Sequence, residues 1–354
     1  MDTTATAQEA AAAFDLPSAV CSITPHGSGH IHQTFRVQTG AGDCLLQRLN
    51  ERVFPDLEAI MENMQRIAGH LSADNDLPSR CLKLRRTRSG HFFHRAADGS
   101  AWRMMDFIQD AVSYDIAPSL QHIENAAQAF GDFQRRLATL PGPSLKETLP
   151  GFHDTRSRFA RLKKVISADP VGRVAGSAAE IEQVLAHQHL AEVLQSLNLP
   201  ERTVHNDTKL NNLLFAIGTS QPLCVIDWDT VMPGLVAHDF GDMVRTMASD
   251  AAEDESDFSK VFLLPDRLAA ITRGYLSATQ NWLTPAEIET LPLGAQTIVF
   301  EQAVRFLTDH LEGDIYYPVS KMGHNLIRTR VQLTLLDSLI SELSAACWPH
   351  VAKS

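Results

Sequence analysis

Over its first hundred residues the chain places short apolar stretches between glycine-containing turns, a pattern typical of β-strands. Apolar residues at three- and four-residue spacing indicate two helices, a short Ala-rich one over residues 5–14 and a longer one over residues 56–71. The strands are predicted at residues 19–24, 31–38, 44–49, 81–86, 91–95 and 102–108.

Beyond residue 110 the helical spacing of apolar positions dominates. The helices are predicted at residues 118–140, 155–168, 177–197, 239–250, 265–278, 284–311 and 324–346. Residues 203–229 are an exception, because apolar runs flank a turn there and predict strand, turn and strand. We therefore predict an α+β chain. It has a small antiparallel-sheet lobe with a helix over residues 1–109 and a larger, mainly helical lobe over residues 110–354.

The composition is that of a globular enzyme. The chain of 354 residues is 44% hydrophobic but has no apolar run of membrane-spanning length, and its first residues lack the basic start of a secretory signal. Five scattered cysteines suit a reducing compartment and predict neither a disulfide framework nor a zinc site. The net charge of -11 argues against nucleic acid as a partner. We expect a cytoplasmic monomer with no membrane or nucleic-acid partner.

One stretch near the middle of the chain carries the clearest chemical pattern. His205, Asp207 and Asn212 match the H-x-D-x-x-x-x-N spacing of a kinase catalytic loop. In such a loop the aspartate accepts the proton of the substrate hydroxyl and the asparagine binds magnesium. Asp227 follows an apolar run twenty residues after Asp207, where a kinase keeps its main magnesium ligand. Since phosphoryl transfer depends on positioning and charge, this set of side chains fits that chemistry.

His205, Asp207 and Lys209 are the candidate catalytic residues, and Lys209 would supply a cation to the transferred phosphoryl group. In isolation, a polar stretch between apolar runs is more often a turn, but the second carboxylate favours function. Asp239-Phe240-Gly241 spells the D-F-G of protein kinases, yet no apolar strand leads into it. We interpret Asp239 as the start of a helix, with its carboxylate available to the catalytic-loop amides.

The predicted nucleotide site departs from the general kinase pattern in two ways. Gly27 and Gly29 lie in the first strand turn, but the third glycine of G-x-G-x-x-G is absent. The third strand has no lysine for the α- and β-phosphates. Its Gln47 and Arg48 point to opposite faces of the strand, so only one of them can face the phosphates, and the sequence leaves both candidates open.

Two further features complete the predicted site for ATP and Mg²⁺. On the long first-lobe helix, Glu58 or Glu62 orients the phosphate-binding side chain, or both belong to a solvated helix face. The last strand of this lobe leads into the hinge between the lobes. Backbone groups near Asp106, Phe107 and Ile108 are predicted to meet adenine there.

The catalytic loop and Asp227 resemble those of the aminoglycoside phosphotransferase and choline kinase superfamily, which has a two-lobed protein-kinase-like fold and phosphorylates small molecules. Longer segments resemble the N-acetylhexosamine 1-kinases more specifically. These segments are Gly29-His30-Ile31, Phe54-Pro55-Asp56, Phe130 to Gln134, Phe152 to Thr155, His205 to Asn212, Asp239 to Asp242, Arg305 to Leu307 and Leu311 to Tyr316.

This resemblance implies ATP-dependent phosphorylation of the anomeric hydroxyl of N-acetylglucosamine or N-acetylgalactosamine. It implies that the catalytic-loop residues keep the roles given above and that His30, Arg305 and Tyr316 contact the sugar. Two of these residues also fit plain structural roles. Arg305 and Asp309 are spaced for an i,i+4 ion pair, and Tyr316 suits a core position with a satisfied hydroxyl.

Two other functions stay open at this level. A kinase of another hydroxylated metabolite, such as a different sugar or an amino alcohol, would keep the same catalytic loop, because specificity lies in pocket contacts. An inactive kinase fold that senses nucleotide or sugar would account for the missing lysine, although Asp207, Asn212 and Asp227 are all present.

Overall fold

The computed structural model describes residues 3–27, 31–73 and 81–345 and confirms the predicted α+β class. The strands are β1 (Val20–Pro25), β2 (Gln33–Thr39), β3 (Cys44–Arg48), β4 (Leu84–Arg85), β5 (Phe93–Arg95), β6 (Ala101–Asp106), β7 (Ala111–Val112), β8 (Arg202–Val204), β9 (Leu213–Ala216), β10 (Pro222–Val225) and β11 (Met232–Gly234). The helices are α1 (Thr3–Ala12), α2 (Leu57–Ser72), α3 (Leu120–Leu137), α4 (Thr155–Ala168), α5 (Ala178–Ala186), α6 (Val193–Ser196), α7 (Val236–Met247), α8 (Pro265–Thr279), α9 (Pro285–Glu312) and α10 (His324–Ala345).

The first six strands form one antiparallel sheet in the order β1-β2-β3-β6-β4, with β5 also paired to β6. Alternate residues of a strand face opposite sides of a sheet. On the outer side, Leu46 and Trp102 are fully buried in a cluster with Ala10 and Phe14, which α1 and the residues after it contribute. The inner side faces the rest of the molecule, so the sheet separates a small outer core from the main one.

Two smaller sheets contain the strands on either side of the predicted catalytic loop. One has the order β10-β9-β7, and the other pairs β11 with β8. The chain leaves the six-stranded sheet at Asp106 and joins the three-stranded sheet at Ala111. The lobe boundary predicted near Gln109 lies in this short connection.

Helix α9 is the longest helix in the described part of the chain and runs through the main core. Thr284 and Glu287 form a capping box at its start, and Gly313 ends it in a left-handed conformation. Its middle packs very closely on α7, because a Cβ added to Gly294 would lie 2.2 Å from the carbonyl oxygen of Ala237. Only glycine permits this approach.

Three predicted elements differ from the observed ones. The helix expected over residues 177–197 is broken at His187 into α5, a 3-10 turn and α6, and this break keeps Leu190 and Leu194 buried beside α9. The strand expected over residues 81–86 retains only the two residues of β4. Helix α7 begins at Val236, so Asp239 lies inside its first turn rather than at its start.

Candidate active site

The catalytic loop follows β8 and is held from below by α7. The Asp239 carboxylate accepts the backbone N–H of His205 at 2.8 Å and that of Asn206 at 2.6 Å. Asn206 has a left-handed backbone with φ of 65°, a conformation that asparagine tolerates better than most residues. The D-F-G aspartate therefore orients the loop, as one of the two roles suggested for it.

His205 is fully buried between the rings of Phe130 and Phe133. Its Nε2–H donates to the carbonyl of Ile226 at 2.9 Å, and its Nδ1 accepts the backbone N–H of Asp207 at 3.3 Å. Both ring nitrogens are thus occupied by backbone groups. This candidate catalytic residue ties the catalytic loop to the segment before Asp227 and has no nitrogen left for proton transfer.

Asp207, Lys209 and Asn212 meet as the spacing predicts. Lys209 Nζ and Asn212 Nδ2 each lie 2.8 Å from Asp207 Oδ2. No hydrogen bond or ion pair within the described residues falls on Asp207 Oδ1, which leaves its hydrogen-bonding capacity unused. Burial opposes ionisation, yet the Lys209 ammonium holds the pKa of Asp207 below its ordinary value. The pKa of Lys209 is raised in turn, because Asp207 and Asp227 outweigh its own burial.

Asp227 lies two residues past the end of β10 and has a left-handed backbone. Its carboxylate makes no hydrogen bond or ion pair within the described part of the chain. Burial and the nearby charges of Asp229 and Asp207 raise its pKa, so the site disfavours an unaccompanied Asp227 carboxylate.

This environment fits a divalent cation. Asp227 and the Asn212 side chain supply the oxygen donors that Mg²⁺ prefers. The described residues contain no group of three or more His, Cys, Asp or Glu side chains that could hold a metal by itself. Phosphate oxygens are therefore needed to complete such a site, as in kinases.

The two candidates for the phosphate-binding position on β3 have different surroundings. Arg48 lies opposite Trp102 on the outer face of the sheet and pairs with Asp98 at 3.5 Å. Gln47 lies opposite Arg103 on the inner face. Directly opposed residues share a face, so the inner face has Gln47, and Arg48 points away from the cleft.

Arg103 was not recognised from the sequence. It is a single cation in the apolar strand β6, almost fully buried, and forms a bidentate ion pair with Asp229, in which Nη2 lies 2.7 Å from Oδ2. Asp229 also accepts His32 Nε2–H at 2.7 Å. A charged residue inside an apolar run was the available signal for Arg103, and the Asp-Trp-Asp repeat was the signal for Asp229.

The acidic residues proposed on α2 do not reach this cluster. Glu58 is exposed, and Glu62 pairs with Lys146 at 2.6 Å, where both side chains are half exposed. The solvated-face interpretation is correct for both. Their helix faces the cluster with Met64, whose sulfur lies 3.2 Å from Arg103 Nη1.

Other predicted nucleotide contacts lie at the edge of the sheet. Gly27 adopts φ of 74° in an exposed turn with open space around it, whereas Gly29 and His30 lie outside the described residues. The backbone amides of Asp106 and Phe107 already donate to the carbonyls of Lys83 and Asp43. Among the three predicted hinge residues, Ile108 is the one whose amide makes no backbone hydrogen bond within the described residues. The Asp106 side chain pairs with Arg85 at 2.6 Å.

Arg305 lies in the last part of α9, and Tyr316 lies in the loop that follows this helix. Arg305 Nη1 donates to Gln302 Oε1 at 3.0 Å, and its guanidinium stands 5.7 Å from the Phe152 ring and 5.6 Å from the Tyr317 ring. Tyr316 stacks edge-on against Tyr317 with ring centres 4.8 Å apart, and 62% of it is exposed. The core position considered for Tyr316 is therefore wrong.

The ion pair considered between Arg305 and Asp309 is also wrong. Asp309 is buried and accepts the backbone N–H groups of Ile315, Tyr316 and Tyr317 at 2.8 to 3.0 Å. Its carboxylate thereby fixes the loop after α9. The Arg305 guanidinium consequently remains beside the aromatic rings.

A buried ion cluster connects α9 to the catalytic loop. Glu301 lies 3.0 Å from His153 Nδ1 and accepts Thr155 Oγ1–H at 2.6 Å. His153 Nε2 lies 3.1 Å from the carbonyl oxygen of Asn206. Burial opposes ionisation of Glu301, but His153 and nearby Arg158 lower its pKa to about 2. Glu301, one helical turn before Arg305 in α9, therefore carries a negative charge at neutral pH.

A match to one protein-family model shows the family to which this chain belongs. The APH family model, described as the phosphotransferase enzyme family, matches residues 22–280. The chain belongs to this family. The catalytic loop, Asp227 and Asp239 all lie within the matched part, so the geometry described above is that of a phosphotransferase.

Several solved structures have the same fold as this phosphotransferase over most of the chain. The microcompartment-associated aminopropanol kinase is 16% identical, with a TM-score of 0.62 over 97% of this chain and 98% of that chain. An aminoglycoside phosphotransferase from Alicyclobacillus acidocaldarius subsp. acidocaldarius DSM 446 is 12% identical, with a TM-score of 0.62 over 96% of each chain. A spectinomycin phosphotransferase, solved with ADP and spectinomycin, is 11% identical, with a TM-score of 0.54 over 88% of this chain and 91% of that chain. These likenesses confirm the kinase-like fold.

No helix in the described part of this phosphotransferase is long and apolar enough to cross a membrane. Its described cysteines, Cys21, Cys44, Cys81 and Cys224, are free thiols.

Proposed function

We propose that this phosphotransferase is an ATP-dependent kinase that phosphorylates the anomeric hydroxyl of an N-acetylhexosamine. The arrangement of Asp207, Lys209 and Asn212 carries the proposal. Asp207 is ionised and keeps Oδ1 for the proton of the sugar hydroxyl, while Lys209 supplies positive charge beside it. Asn212 and Asp227 would hold Mg²⁺, which supplies neutralising charge to the phosphates when bound.

The acceptor side supports a neutral, hydroxyl-rich substrate. Arg305 makes no ion pair among the described residues, and the rings of Phe152 and Tyr317 flank it. The Glu301 carboxylate is already engaged by Arg158 at 3.5 Å, His153 at 3.0 Å and Thr155 at 2.6 Å. A guanidinium beside aromatic faces suits sugar oxygens and disfavours the ammonium groups of aminoglycosides or amino alcohols.

On the nucleotide side, we propose that adenine meets the backbone at Ile108 and that the phosphates lie between Gly27 and the inner face of β3. The exposed turn at Gly27 leaves open space for a close approach. The inner face is the side on which Gln47 lies.

A coupled assay for ADP release tests the function. The panel is N-acetylglucosamine, N-acetylgalactosamine, their non-acetylated parent sugars, an aminoglycoside, an amino alcohol and water. We expect the highest kcat/KM for an N-acetylhexosamine, with a 1-phosphate product in the ³¹P NMR spectrum. Preference for an amino alcohol or aminoglycoside would replace the substrate in the proposal, and nucleotide binding without any turnover would support the inactive sensor.

A further inference from the structure

The inner face of the six-stranded sheet has a buried cation although β3 lacks lysine. Arg103 of β6 lies directly opposite Gln47 of β3 in the antiparallel register. Its Nε–H donates to Gln47 Oε1 at 2.9 Å, and Gln47 Nε2 donates to Thr34 Oγ1 at 3.1 Å. A series of side-chain hydrogen bonds across the adjacent strands β6, β3 and β2 therefore fixes the direction of the Arg103 side chain.

The guanidinium end of Arg103 crosses to the metal-binding turn. Its two terminal nitrogens take both oxygens of Asp229, and both side chains are about 1% exposed. His32 donates to the same carboxylate, and the backbone N–H of Asn50 fixes the His32 ring through Nδ1 at 3.1 Å. Two separate parts of the first lobe thus hold the Asp229 carboxylate, namely Arg103 on β6 and His32 just before β2.

Asp229 is two residues from the proposed magnesium ligand Asp227. Asp229 lies in a short 3-10 turn, Trp228–Thr230, that begins directly after Asp227. Thr148 Oγ1 donates to the Asp229 carbonyl at 2.5 Å. The Arg103 guanidinium therefore holds the turn that begins directly after Asp227.

We propose that Arg103 is a positioning residue for nucleotide binding, which holds Asp229 and thereby sets the position of Asp227. In protein kinases a strand lysine and a helix glutamate form the ion pair that aligns the phosphates. Here the corresponding bridge runs from a strand to the metal-binding turn. This inference rests on the proposed function, because it concerns how the same site binds a metal–nucleotide complex.

Arg103→Lys is the first variant, because lysine keeps the charge but loses the planar two-pronged contact. Arg103→Gln removes the charge as well. Arg202→Lys is the matched control. Arg202 forms a two-pronged pair with the buried Glu287 at the start of α9, with distances of 2.9 and 3.1 Å, and contacts no proposed site residue.

The measurements are Mg²⁺-dependent ADP binding by titration calorimetry, the half-saturating Mg²⁺ concentration of the reaction, the KM of the acceptor and a thermal melt. We expect Arg103→Lys to weaken Mg²⁺–ADP binding and to raise half-saturating Mg²⁺ about 10-fold or more, with an acceptor KM within about 2-fold of the wild type. Arg103→Gln should weaken binding further. Arg202→Lys should change only the melt.

The proposal is overturned if a folded Arg103→Lys enzyme binds Mg²⁺–ADP as the wild type does and differs only in its melting temperature. Should Arg103→Gln fail to fold, Arg103→Lys decides alone. Failure of the proposed function has a different signature, because the wild-type protein itself would then bind no Mg²⁺–ADP or phosphorylate no sugar.

Discussion

At the scale of single residues, the two contacts on Asp207 converge on the same oxygen. Lys209 and Asn212 both contact Oδ2, and Oδ1 has no hydrogen-bond partner among the described residues. If Asp207 is the base that we propose, this oxygen is the one that accepts the proton of the acceptor hydroxyl. A substitution that keeps the shape of the Asp207 side chain but removes its negative charge can therefore test whether the charge is needed.

Asp207→Asn keeps the shape of the side chain and an oxygen for Lys209, but the amide cannot accept a proton. We expect kcat to fall about 100-fold or more, with little change in acceptor affinity or melting temperature. Steady-state kinetics with both substrates check this. Asp337→Asn on the exposed face of α10 is the control, and near-normal turnover of Asp207→Asn would remove this residue from the chemistry.

Arg305→Ala tests the acceptor side. Loss of a charged hydrogen bond to a sugar oxygen should cost about 1.5–3 kcal/mol, seen as a roughly 10- to 150-fold fall in kcat/KM for the sugar at constant ATP affinity. Arg161→Ala is the control, because Arg161 pairs with Glu312 on the exposed surface at 2.7 Å. An unchanged sugar kcat/KM would make Arg305 a structural residue.

Residues within the catalytic motif could be predicted from sequence because local spacing fixes them. Asp207, Lys209 and Asn212 all lie within six residues of one another, so one turn brings them together. Arg103 and Asp229 are separated by more than a hundred residues and meet only through tertiary packing. The charge of Arg103 inside an apolar run marks it as unusual, but no local pattern pairs it with Asp229 or assigns it to the site.

At the scale of elements, the close contact of α7 and α9 supports the catalytic loop. Asp239 projects from α7 to the loop amides, and α7 is kept in place by two glycines. A Cβ on Gly241 would lie 2.5 Å from the carbonyl oxygen of Gly294. Any side chain at this crossing must push the helices apart.

Gly294→Ala should therefore destabilise the protein by about 1–3 kcal/mol or more and lower kcat, because the shifted α7 displaces Asp239. Gly69→Ala in α2 is the matched control. Its added Cβ meets open space, and we expect a gain of up to about 1 kcal/mol from reduced backbone freedom. Thermal melts and kinetics on both variants check the pair, and equal melting temperatures would contradict the packing argument.

Element types were predictable where periodicity was long, as in α9, whose capping box also marks its start. The break at His187 was not predictable, since apolar spacing continues across it and only burial against other helices requires the turn. The face of a strand was likewise undetermined for Gln47 and Arg48. Pairing with β6 decides it, and pairing is a property of the whole sheet.

At the scale of the whole molecule, stability should depend on a buried neutral histidine. His238 is 7% exposed and lies beside His153, with a ring-centre distance of 4.8 Å, and its ring makes no hydrogen bond within the described residues. Burial and the neighbouring His153 lower its pKa from 6.5 to about 3, although Glu301 opposes the shift. Between these values the unfolded chain binds a proton that the folded chain does not.

The free energy of unfolding should therefore decrease as the pH falls below 6.5, with a contribution from His238 of up to about 1.4 kcal/mol per pH unit. His238→Phe keeps a ring but cannot titrate, so its stability should depend less steeply on pH between 6.5 and 4.5. Urea unfolding at several pH values measures both slopes. His91→Asn at an exposed position is the control, and parallel curves for wild type and His238→Phe would contradict the assignment.

The bridge between Arg103 and Asp229 has a consequence for regulation. Protein kinases are switched by moving the helix that bears their glutamate, so that a partner protein, a phosphate or a drug can turn them off from a distance. Here neither charged partner is carried by α2. That helix meets the bridge through Met64 and the segment after Asp229 through Asn63, whose Nδ2 donates to the Val231 carbonyl at 3.4 Å. If the bridge aligns the phosphates as proposed, a movement of α2 would disturb these contacts without separating the two charges.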